Sequence, residues 1–149
     1  MVRQHHRGNV RLIALAAGLA LLAGHAAAAG PPGLDKPLTG KPGDPANGLK
    51  LVLDANKGDC TACHSFPVPG MPPDAFGDLA PPLAGVGKLL SVAQLRQRIV
   101  DPQVVTPGTI MPSYFSTSGL YRVDPKYAGK TILSAQEVED VVSYLATLK

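Results

Sequence analysis

The sequence has no tryptophan, and only four tyrosines and three phenylalanines among 149 residues. Aromatic side chains bury the most apolar area each, so the chain is short of the bulk from which a core of this size is normally built. Two cysteines exclude a disulfide-dense scaffold. No apolar run reaches the roughly 20 residues of a membrane-spanning helix, the stretch Leu12 to Ala23 having 12. Alternating strand patterns, internal repeats and basic runs interleaved with aromatics are also lacking, and without the last of these a nucleic-acid partner is not expected.

The beginning of the chain has the character of an export signal. Arg3, Arg7 and Arg11 precede the apolar run, and "HAAAAG" follows it with small residues at the spacing a signal peptidase reads. Residues 1–29 are therefore expected to be a signal peptide, cleaved after Ala28 or Ala29. The scattered arginines favour general secretory export over the twin-arginine route, so the expected location is the periplasm, with no membrane attachment after processing. Those three arginines account for the whole +3 charge of the precursor, and from Gly30 onward 11 basic residues balance 11 acidic ones. His5, His6 and His25 leave with the signal, and His64 is then the only histidine.

That histidine closes the segment "GDCTACH", which holds both cysteines of the chain, Cys60 and Cys63. A disulfide suits an oxidising compartment. A thioredoxin-like redox pair calls for a βαβ setting that the pattern does not offer, and a structural zinc site would have to find a fourth ligand among the carboxylates. Cys-x-x-Cys-His is the attachment signature of c-type haem. Residues i, i+3 and i+4 of a helical turn share a face, so two thiols can reach one porphyrin while the imidazole comes up beneath its iron. One covalently bound haem c is the expectation, with Cys60 and Cys63 as attachment points and His64 as proximal ligand. For the distal ligand neither a second histidine nor a third cysteine remains. Met71 follows His64 by seven residues, too short a loop to cross the ring, whereas Met111 lies 47 residues on, between Pro107 and Pro112. A Met/His pair is a common cytochrome ligand set, and Met111 is favoured, with lysine or water as the remaining alternatives.

The rest of the chain is expected to be helices and loops. Residues 30–43 are a Pro/Gly-rich leader, expected to be flexible, and the domain proper is expected over 44–149. Asp44-Pro45 starts a helix that Gly58 ends, with Leu49, Val52 and Leu53 on its apolar stripe. Residues 65–88 form a long loop. Ser91 with Gln94 and Ser134 with Glu137 are capping boxes. They open a helix that stops at Asp101-Pro102 and a long final helix striped by Val138, Val141, Val142, Leu145 and Leu148. Glu137, Glu139 and Asp140 near the start of the latter suit its dipole.

These elements resemble the class I cytochrome c family, an all-α fold with helices packed around one covalent haem. The resemblance implies that Gly48 and Val52 of the first helix meet Val141 and Tyr144 of the last, and that in "PPLAGVG" the Pro81 carbonyl accepts a hydrogen bond from His64. "CTACH", "LRQRIVDP", "TIMPSYF" and "YAGKTILSAQEVEDVVSYLATL" are more specific, and from about residue 46 onward the chain resembles the SoxX family of monohaem cytochromes. That resemblance implies an electron-transfer subunit paired with a SoxA cytochrome. The pair, an L-cysteine S-thiosulfotransferase, joins thiosulfate oxidatively to the cysteine of the SoxYZ carrier and passes electrons to a small cytochrome c, with the sulfur chemistry in SoxA. A free-standing monohaem electron carrier is the other reading. A dedicated subunit is expected to expose an apolar patch beside the haem, from Val68, Pro69, Pro72, Pro73 and Val104, where a mobile carrier shows a charged ring.

Overall fold

The computed structural model describes residues 33–149; the expected signal peptide lies outside them. Four α-helices and four short 3-10 turns make up the regular structure, without a strand among the described residues.

Helix α1 runs Pro45–Leu53. The Asp44 carboxylate accepts from the Ala46 amide, and proline occupies the first turn, where a missing N–H costs nothing. The helix stops before Gly58 because Asp54 offers its backbone a competing turn: the carboxylate accepts from the Asn56 amide at 2.8 Å. The chain then folds under the helix end, the Gly58 amide donating to the Leu51 carbonyl at 3.1 Å. The 65–88 loop carries a 3-10 turn at Pro73–Ala75 and runs into a helical turn, α2 (Val86–Leu89), entered through Gly85 at φ +76°. Helices α3 (Val92–Val100) and α4 (Ala135–Thr147) open on complete capping boxes at Ser91/Gln94 and Ser134/Glu137.

The core is the crossing of α1 and α4. Val52, Val138, Val141 and Val142 are at most 1% exposed, and Leu95 and Ile99 of α3 close the third side. At the crossing, a β-carbon on Gly48 would stand 2.1 Å from the Asp140 carbonyl oxygen and 2.8 Å from the Tyr144 β-carbon. Only hydrogen fits between these backbones.

The leader differs from expectation. From Leu34 onward it is tied down by three buried ionic side chains, Arg96, Glu139 and Asp140, none more than 5% exposed. The Arg96 guanidinium donates to both Glu139 oxygens, at 2.8 and 2.9 Å, and to the Leu34 carbonyl at 2.7 Å. Glu139 also accepts from the Leu38 amide at 2.9 Å. Asp140 accepts from the Asp44 amide at 2.8 Å and from the Asn47 side chain at 2.7 Å. The two carboxylates therefore hold the leader and the start of α1, a role beyond complementing the helix dipole. Burial opposes the ionisation of Glu139, but Arg96 and the Leu38 amide outweigh it and hold the carboxyl below its ordinary range. Burial likewise opposes that of Asp140, and the Asp44 amide, Gln136 and Asn47 bring it down.

Two outcomes follow from this packing. Gly48→Ala should cost about 3 kcal/mol or more, as overpacking against backbone does; an unchanged denaturation midpoint would refute the close crossing. Depressed folded pKa values contribute stability that is complete above the ordinary values, 4.5 for Glu139 and 3.8 for Asp140, and is lost as pH falls through the lower folded values. Denaturant midpoints should therefore fall on acidification below about pH 4.5, and less steeply in Glu139→Gln. Identical acid limbs would remove Glu139 from the account.

Candidate functional site

The "CTACH" segment begins where the turn below α1 ends. Asp59 adopts a left-handed backbone at φ +46°, which aspartate tolerates better than most residues. It reverses the chain into the 3-10 turn Cys60–Ala62. The Cys63 and His64 amides both donate to the Cys60 carbonyl, at 3.3 and 2.9 Å, so Cys60, Cys63 and His64 sit on one tight turn. The thiols are free and partly buried. Burial, with the Asp59 charge second, pushes the Cys60 thiol up to about 12, so it stays protonated at neutral pH.

The long loop returns onto this turn. The Gly77 amide donates to the Thr61 carbonyl, Ala80 to Cys63 and Leu83 to Ser65, at 2.8, 3.0 and 2.8 Å. A β-carbon on Gly77 would be 2.1 Å from the Ala62 carbonyl oxygen and 3.0 Å from the Cys63 α-carbon. That contact, which no sequence pattern announced, presses the loop flat against the attachment turn. It also carries the Pro81 carbonyl to 2.7 Å from His64 Nδ1. With Nδ1–H donating there, the lone pair of Nε2 is left for a metal, and the bond fixes the ring and its tautomer.

Met71 and Met111 lie in different places. Met71 lines an apolar cleft of about 540 Å³ with Phe66, Val68, Phe76 and Pro82, inside the loop that folds back on His64. Met111 lines a separate cleft of about 550 Å³ with Ile110, Leu120, Val123 and Ile132. Tyr114, three residues beyond Met111, is a buried residue of this neighbourhood that the sequence does not single out. It is 7% exposed, and its hydroxyl donates to the Gly58 carbonyl at 2.8 Å. Burial raises its pKa, and the adjacent Cys60 and Cys63 add to that. The Met111 segment thus reaches the residue two before Cys60.

The residues fit a covalently held porphyrin. Two unpaired thiols and an oriented imidazole share one turn, and among the described residues no trio of His, Cys, Asp or Glu is gathered to hold a bare metal ion. Residues 45–149 match the cytochrome c family. The chain belongs to that family. Covalent haem c is the family's cofactor, and electron transfer its chemistry. Among solved structures, a chain in the crystal structure of SoxXA from P. pantotrophus is 36% identical, with a TM-score of 0.68 over 78% of this cytochrome and 90% of that chain. Together these make the protein a SoxX-like class I cytochrome c, all-α as expected. Curated protein sequences give no match.

Several apolar side chains are exposed near the site, among charged ones such as Arg122, Asp124 and Lys130 at the Met111 cleft. Pro69 and Pro72 are exposed and Val104 is 53% exposed, while Val68 differs from expectation in packing against the core. Ile110, at 77%, and Tyr121, at 89%, extend this surface around the Met111 cleft.

Gly77→Ala should lift the loop from the attachment turn. The expected result is a loss of about 2–3 kcal/mol together with faster hydrogen exchange at the Ala80 and Leu83 amides. Unaltered exchange at both would show that the loop is held elsewhere.

Proposed function

We propose that this cytochrome is the electron outlet of a two-subunit periplasmic complex, with a SoxA-like cytochrome as its partner. The observation that carries the reading is its 36% identity across 90% of a chain from SoxXA. Cys60 and Cys63 would hold the haem through thioether bonds, His64 Nε2 and Met111 would ligate its iron, and the Pro81 carbonyl orients the His64 ring. Haem bound there supplies one-electron ferric/ferrous chemistry. A thioether ligand would favour the ferrous form and raise the potential.

The geometry supports Met111 over Met71 as distal ligand. The Met71 loop is bonded along the backbone of the motif that carries His64, whereas the Met111 segment is anchored to α3 and to Gly58, before the motif. The chain's inventory also separates it from the sulfur chemistry. Both thiols are consumed in attachment, and a His64/Met111 pair leaves no position for an anion. Oxidative coupling of thiosulfate to the SoxYZ cysteine then falls to the partner, and this chain passes the electrons to a small cytochrome c. The exposed apolar side chains Val104, Ile110 and Tyr121 suit a lasting partner better than a steering ring of charge would.

The test uses the exported protein, haem attached. Haem should stay with the chain in acidified organic solvent. Mixed with its SoxA-type partner, the cytochrome should be reduced only when thiosulfate and the carrier are both present, and alone it should couple nothing. Coupling by the isolated chain would overturn the division of labour. Failure to associate with the partner at micromolar concentration would favour a free-standing carrier.

A further inference from the structure

We infer that Tyr114 is a positioning residue whose buried hydroxyl clamps the Met111 segment shut over the attachment turn. The inference rests on the Met111 reading given above.

The segment is held on both flanks, unequally. Upstream, the Gln103 side chain donates to the Thr109 carbonyl at 2.7 Å and accepts from the Gly108 amide at 2.8 Å. The Met111 amide itself donates to the Thr109 hydroxyl at 3.2 Å. Gln103 is exposed, so water competes for these bonds. Downstream, Tyr114 joins three parts of the fold. Its amide donates to the Ile99 carbonyl at the end of α3, its carbonyl accepts from the Leu133 amide just before α4, and its hydroxyl reaches the Gly58 carbonyl before Cys60. The first two bonds fix the segment to the helical frame. The third alone ties it to the turn that carries Cys60, Cys63 and His64, and it does so where water cannot replace it.

A weakly held thioether depends on such a clamp, because every opening of the segment exposes the sixth position of the iron to competitors. Removing the hydroxyl leaves the ring in place but strands a buried carbonyl, which shifts an opening equilibrium by about tenfold. An external ligand that binds only the opened form then has an apparent affinity for the protein higher by the same factor.

The experiment measures imidazole binding to the ferric holoprotein, following the weak long-wavelength band of methionine-ligated ferric haem. Tyr114→Phe should keep the band in the absence of imidazole and bind imidazole about tenfold more tightly than wild type. Gln103→Ala should shift it less. In a Met111→Ala background, where nothing remains to be displaced, Tyr114→Phe should change nothing. Equal imidazole affinity in wild type and Tyr114→Phe overturns the clamp. A band that persists in Met111→Ala overturns the ligand reading instead, and is seen without reference to Tyr114. Should Tyr114→Phe fail to fold, wild type alone decides. Imidazole should speed exchange of the Tyr114 hydroxyl proton with water while leaving the Val52 amide protected, and an unchanged hydroxyl exchange rate overturns the clamp.

Discussion

The close approach of α1 and α4 at Gly48 is the constraint on which the other contacts depend. Helix α1 leads directly into the attachment turn, so the depth at which it lies against α4 decides where Cys60, Cys63 and His64 come to rest. A side chain at position 48 would separate the two backbones, and Val52 and Val141, which fill the crossing, would lose their fit. The buried Arg96–Glu139 pair then works around this crossing. An ion pair out of water gains little net energy by itself. This one saturates its hydrogen bonds with the leader's backbone, so that a Pro/Gly-rich segment with almost no apolar side chains of its own still has a fixed course.

Much of the helical frame was legible in the sequence because its signals are local. Ser91 with Gln94 and Ser134 with Glu137 state both the start and the capping geometry of their helices within four residues. The Cys-x-x-Cys-His spacing likewise describes one turn. The end of α1 was misplaced because two signals competed over six residues, and the Asp54 turn acted before Gly58 was reached. The leader was read as flexible from its composition. What holds it is charge supplied by α3 and α4, 62 and 101 residues away in the chain. Glu139 and Asp140 carried a correct but incomplete reading, since a helix-dipole argument does not ask what else their oxygens could accept.

The site divides in the same way. The identity of the attachment residues was plain, whereas the parts that give them their setting come from loops whose course no periodicity describes. Gly77 is one glycine of 16, and only its distance from Ala62 distinguishes it. Tyr114 is one of four tyrosines, and only its bond to Gly58 does so. The exposed Ile110 and Tyr121 came from the same blind region, while Val68, apolar enough for either place, was drawn inward by Phe66 and the core.

The partners that lock this domain come from its two ends: Leu38 is bonded to Glu139 across 101 positions, Asp44 to Asp140 across 96 and Asn47 to Asp140 across 93. Closing so long a loop is an entropic cost met before any of these contacts is made. A ribosome or translocation channel releases the N-terminal end first, so α1 and the two thiols wait in the open until the final helix has emerged. During that interval the cysteines are accessible to whatever acts on them, and a chain cut short before α4 would leave α1 without the helix it packs against.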